Sequence, residues 1–151
     1  MSISHLSRDQ IVGAWELVEY VVYSEASPSE TFYPLGENAK GMILYTPDGY
    51  MSAQLQCPGQ EAFAAASPID GSETELAESA RKFIGYSGRY EIDHSGPVPV
   101  LQHHFFVSSF PNWLGDTQRR IAQLDGDSLL LSLELPVELK VRYSCVLREV
   151  E

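Results

Sequence analysis

The chain reads as a series of short β-type runs separated by turns. The first run, AWELVEYVVYS (Ala14–Ser24), sets Trp15, Leu17, Glu19, Val21 and Tyr23 against Ala14, Glu16, Val18, Tyr20 and Val22. Toward its end both sets are apolar, which suits a strand with apolar partners on both faces. A polar break, SEASPSE, leads to TFYP, a short edge segment stopped by Pro34. GMILYTPDGYMSAQLQ predicts a hairpin: Pro47 presets φ for a turn, and Gly49 takes the position that needs positive φ. SGRYEID, PVLQHHFFVSSF, TQRRIAQLDGDSLLLSLEL and KVRYSCVLREV continue the pattern, with turns at HSGPV and at Asp125-Gly126-Asp127.

The segment from 57 to 85 breaks the pattern. It is rich in alanine and lacks a β-branched run. Ser72 has Glu75 three residues on, the spacing of a capping box. Leu76, Ala80, Phe83 and Ile84 then recur at helical spacing, which predicts an amphipathic helix over about 73–84. A shorter helical turn is compatible with residues 60–66.

The pattern therefore predicts an all-β domain of about eight to ten strands with one inserted helix. It would cover residues 13–151, after an N-terminal segment, 1–12. Short strands joined in order favour a meander, and closing a meander removes its two open edges. The expected architecture is a closed or nearly closed up-and-down β-barrel with room for one small ligand. A two-sheet sandwich is the alternative.

Composition narrows the partners. A chain of 151 residues is one ordinary domain. Two cysteines, Cys57 and Cys145, make no disulfide framework and read as free thiols. The N-terminus lacks a basic stretch followed by an apolar one, and no apolar run approaches the ~18 residues of a membrane span. The expectation is a cytoplasmic protein, monomeric or homodimeric. A net charge of −11 argues against nucleic acid and anionic membranes. Eight tyrosines, six phenylalanines and two tryptophans suit a pocket for a rigid organic ligand.

Motifs for metal, nucleotide or covalent chemistry do not stand out. His103 and His104 are neighbours, so on a strand they point to opposite faces and cannot share one ion. There is no nucleophile elbow, phosphate loop or activated cysteine motif. Neither a metal nor a cofactor is expected.

The candidate site is instead a set of polar tips on strands. Tyr45 ends one strand; Tyr50, Ser52 and Gln54 share one face of the next. Tyr86 and Tyr90 should point inward. Between 100 and 109 the alternation leaves two sets open; the set with His104 and Phe106 is preferred for the lumen over that with His103 and Phe105. Gln118 and Arg120 lie opposite Thr117 and Arg119, and Arg120 is favoured inward. Tyr143 shares a face with Val141, Cys145 and Leu147. In SSFPNWLGDTQRR, Pro111 ends a strand, Asn112 and Gly115 make the bend, and Trp113 is expected to fold over the cavity as a rim.

Gly13-Ala14-Trp15 resembles the Gly-x-Trp signature of lipocalins. That resemblance implies a tryptophan closing the barrel floor under an arginine of the last strand, Arg142 or Arg148. YPLGENAKGMILYTPDGYMSAQL, YSGRYEID and FPNWLGDTQRR are similar to blocks of the bacterial and fungal lipocalin-like domain family. The resemblance runs from Gly13 to the last strand and implies a small intracellular calyx with an inserted helix. Some members lie among genes for polyketide or terpenoid synthesis, where small barrels act as cofactor-free cyclases or isomerases.

Two functions stay open. In the first, a cofactor-independent cyclase, isomerase or dehydratase holds a small hydrophobic oxygenated metabolite. Tyr86 and Arg120 polarise its carbonyl, and His104 moves a proton. In the second, the same cup is a non-catalytic binder or carrier. A barrel filled by its own side chains, with a structural role, is a third reading.

Overall fold

In a computed structural model Gly13–Ser24 forms one long strand, β1. The structure describes residues 5–24, 27, 29–133 and 141–150, the side chains of 141–143 excepted. The other strands are β2 (Thr31–Phe32), β3 (Lys40–Tyr45), β4 (Tyr50–Gln56), β5 (Phe83–Asp93), β6 (Val100–Ser108), β7 (Thr117–Asp125), β8 (Ser128–Leu133) and β9 (Val141–Glu149). Each of β3 to β8 pairs antiparallel with the next strand, and β1 pairs with both β3 and β9. β1 and β3–β9 thus make a closed eight-stranded antiparallel barrel. Closure leaves no open edge among these strands. Beyond Glu16 β3 no longer covers β1, and β2 pairs farther along it at Val22 and Tyr23.

Two local devices shape the wall. The β3–β4 hairpin turns at Thr46–Gly49, with Gly49 at φ 92°, as its residues predict. Single-residue bulges fall at Val18, opposite β9, and at Phe106, opposite β5. At the second bulge β6 comes so close to β5 that a Cβ on Gly88 would lie 1.8 Å from the carbonyl oxygen of His104. Only glycine fits there.

Among the described residues two α-helices accompany the barrel, α1 (Arg8–Ile11) and α2 (Glu73–Arg81). The Ser72 hydroxyl accepts from the Glu75 amide, and the Glu75 carboxylate accepts from the Ser72 amide at 2.9 Å, the reciprocal cap its sequence suggested. α2 stops short of the expected end. Phe83 and Ile84 have helical spacing but pair with Gln56 and Leu55 of β4, because the sheet ladder satisfies more backbone than one further helical turn. Residues 60–66 form no helix. No helix among the described residues is long and apolar enough to cross a membrane.

One end of the barrel is packed solid. Trp15, Tyr45, Tyr90, Leu101, Leu129 and Leu147 are almost wholly buried there, joined from residues 5–12 by Leu6 and Ile11. Covering a leucine or isoleucine side chain is worth about 1.5–3 kcal/mol, so these eight residues are part of the core rather than an appendage. The Trp15 indole donates to the Ile11 carbonyl at 2.8 Å. Arg8 donates to the Pro47 carbonyl at 3.2 Å and stands 5.4 Å from the centre of the Tyr90 ring. Among the described residues the cation at this floor is Arg8. Arg148 is exposed, and the side chain of Arg142 lies outside the described residues.

Candidate functional site

The other end of the barrel is hollow. A cavity of about 290 Å³ opens there, near the lower limit of small-molecule sites, which run to about 1,000 Å³. Strand direction explains its place: the end of β1, the start of β5 and the start of β7 meet at this end. They supply Tyr20, Ile84 with Tyr86, and Gln118 with Arg120. Leu55, Leu131 and Leu133 give an aliphatic side, and Cys145 faces it from β9. His103 and Ile43 line the cavity from β6 and β3.

An aromatic cluster forms one wall. Tyr86 and Phe105 have ring centres 4.6 Å apart. Trp113 stands edge-on to Tyr86 at 5.6 Å and also touches Phe105 and Phe110. It is held by a single 3-10 turn, Pro111–Trp113, which Pro111 starts and Gly115, at φ 76°, helps to leave. The Gly115 amide returns to the Phe105 carbonyl at 3.0 Å. This turn thus puts Trp113 into the cavity wall.

The polar groups of the cavity are few and far from their ordinary ionisation. His103 is buried and shares a hydrogen bond of 3.0 Å with the hydroxyl of Tyr45. Burial, then the nearby Arg120 cation, pulls its pKa down to about 3, so the ring is neutral at physiological pH. Burial raises the tyrosine hydroxyls of Tyr86 and Tyr45, and lifts the Cys145 thiol to about 12. Arg120 is lowered by desolvation, opposed by Tyr86 and Tyr45, but guanidinium stays charged in proteins. One of its nitrogens donates to the Arg119 carbonyl at 3.1 Å.

Of the residues singled out in the sequence, Tyr86, Trp113, Gln118 and Arg120 line this one cavity. Tyr45 is buried and touches it only through His103, and Tyr90 is packed at the floor with its hydroxyl on the Thr46 carbonyl at 2.6 Å. Several others face away. His104 lies on the outer face, bonded to the Thr117 hydroxyl at 2.6 Å and 4.0 Å from Glu91. Phe106 is 62% exposed at the bulge. Tyr50, Ser52 and Gln54 also point outward, bonded to Arg89, to Ser87 and to each other, while Met51, Ala53 and Leu55 face in. In both strands the apolar set won the interior, the usual outcome when burial of apolar surface sets register. The side chain of Tyr143 lies outside the described residues.

His103, which the sequence left open as the less favoured alternative to His104, lines the cavity, as do Tyr20 and Ser144, which it did not single out. His103 carried a signal: its alternation partners, Leu101 and Phe105, are apolar. Tyr20 carried none, because the bulge at Val18 shifts the inward parity of β1. Among the described residues no group of three or more His, Cys, Asp or Glu is placed to hold a metal.

The model of a family described as a lipocalin-like domain matches residues 12–142. The 4'-hydroxy-3'-methoxypropiophenone carrier protein ppsC of Aspergillus oryzae is 34% identical over 91 residues, which span 58% of this chain and 82% of that protein. No solved structure matches the chain.

Proposed function

This chain belongs to the lipocalin-like domain family, and on that footing we propose that it is a non-catalytic carrier of a small oxygenated aromatic metabolite. The observation that carries the reading is the cavity itself: about 290 Å³, aromatic and aliphatic in lining, with a few polar groups at its wall. A one-ring aryl ketone suits that volume. Trp113, Tyr86 and Phe105 would flank its ring, and Arg120, Tyr86 and Gln118 would meet its oxygens. The similarity to a protein named as a carrier of such a compound supports the same class here.

The ionisation of the cavity favours carriage over the cyclase or isomerase reading. General acid–base work calls for a group that titrates near working pH. His103 is pulled down to about 3, and Tyr86 and Cys145 are pushed up. His104, expected to move the proton, lies outside the barrel. Two free thiols fit a reducing compartment, so the cytoplasm is the proposed place of action.

The test is incubation of the purified protein with 4'-hydroxypropiophenone, followed by mass spectrometry of the bound and released compound. Retention unchanged is the expected result. A converted product would restore the enzyme reading.

A further inference from the structure

The carrier reading leaves the charge of the cavity unexplained. Arg120 brings a guanidinium with five N–H donors into the wall of an apolar cup. Among the described residues it donates one hydrogen bond, to the Arg119 carbonyl. The ion pairs among the described residues join Arg81 and Lys82 to Glu78, His104 to Glu91, and Arg119 to Asp93; none includes Arg120. Nothing else described on the cavity wall supplies a negative charge: its remaining titratable groups are tyrosines, a thiol and His103.

Arg120 is half-buried, and a cation partly withdrawn from water is stabilised by a nearby negative charge. The hydroxyl of Tyr86 lies on the same wall, and no hydrogen bond joins it to another described residue. The wall thus carries two donors, one of them charged. The rest of the lining, Ile84, Leu131, Leu133 and Trp113 among it, asks for an apolar body.

We propose that the cavity takes its ligand as an aromatic oxyanion: a hydroxyaryl ketone bound as its phenolate, with the oxyanion on Arg120 and Tyr86. This rests on the carrier reading and adds a charge to it. A phenol with a para acyl group is a vinylogous carboxylic acid, since its anion spreads the charge onto the ketone oxygen. Ionising it in the cup requires only loss of the phenolic proton to solvent. The guanidinium then gains the counter-charge that no described residue of the wall supplies, in a setting where a charge-assisted bond is about twice as strong as a neutral one.

The test uses two probes, 4'-hydroxypropiophenone and its methyl ether, 4'-methoxypropiophenone, which cannot ionise. Binding is followed by absorption at mildly acidic pH, about 6, where the free phenol is mostly protonated and its anion absorbs at longer wavelength. The wild-type protein should bring up the phenolate band and bind the methyl ether at least about tenfold more weakly. Arg120→Gln should bind the two probes alike with no phenolate band, and Arg120→Lys should keep the band. If Arg120→Gln does not fold, the two probes on the wild-type protein still decide. A neutral spectrum with equal affinity for both would overturn the oxyanion and leave the carrier standing. Failure of the wild-type protein to bind either would overturn both.

Discussion

The hydroxyl of Tyr45 and Nε2 of His103, 58 residues apart in sequence, share a single 3.0 Å hydrogen bond beneath the cavity. The neutral pair has two hydrogens to place, one on the imidazole and one on the phenol. One bond uses one of them. Nδ1 of His103 is buried and has no partner among the described residues, so whichever tautomer forms, the pair leaves one polar hydrogen without a described partner.

That burial makes stability pH-dependent in a definite direction. The folded pKa of His103 is about 3, below its ordinary value of 6.5. The unfolded chain therefore binds a proton that the folded one refuses, and stability falls as pH drops from about 6.5 toward 3. Between pH 7 and 5 the loss from this group should be about 2 kcal/mol. Urea unfolding at the two pH values measures it. The double variant Tyr45→Phe/His103→Leu removes both polar partners and should flatten that limb.

Gly88→Ala should be among the most damaging small changes in the protein. Its Cβ would fall on the His104 carbonyl and force β5 and β6 apart at the bulge. A loss of more than about 3 kcal/mol is expected from such overpacking against backbone. Gly96→Ala is the control, since a Cβ there meets nothing within 4 Å, and it should stay within about 0.5 kcal/mol. Equal urea midpoints for the two variants would contradict the close strand approach.

Trp113 should report ligand binding, and Trp15 should not. The first lines the cavity and the second is sealed in the floor. Titration with 4'-hydroxypropiophenone should quench fluorescence in the wild-type protein and leave Trp113→Phe unresponsive. Loss of the long aromatic edge in that variant should also weaken binding by about 1 kcal/mol, roughly fivefold.

Ser72→Ala should separate local from global stability. The cap joins Ser72 to Glu75, and Glu75 also accepts from the Ala64 amide at 2.8 Å, so it ties the loop to the helix. α2 buries no residue of its own. Losing the cap should cost the helix about 1 kcal/mol. Hydrogen exchange in residues 73–81 should speed up several-fold, with little change in the global unfolding midpoint.

The barrel was legible because its signals are local and agree with one another. Pro47 and Gly49 mark a hairpin, Asp125-Gly126-Asp127 another, and period-two alternation carries the strands between them. Closure followed from the strand count and the cost of open edges. The cavity wall was legible where alternation ran unbroken, as in β7, which puts Gln118 and Arg120 inside. It failed in β4 and β6. Tyr50, Ser52 and Gln54 were taken for lining because a ligand cup was expected to be polar; their apolar alternates had the stronger claim. In β6 the bulge at Phe106 puts Phe105 and Ser108 on one face across an odd spacing, and no alternation rule shows that. The role of residues 5–12 was also missed, since two buried side chains in eight residues make no periodic pattern.

The plugged floor gives the barrel a direction. Leu6, Ile11 and Trp15 block one end, so on the carrier reading cargo would enter and leave by the other end, where Trp113 lines the wall among the described residues. A carrier built as a tunnel can be loaded from one side while it is emptied from the other; a cup cannot. On the carrier reading, a donor and an acceptor of the molecule would have to take turns at the same rim, and transfer would become a queue.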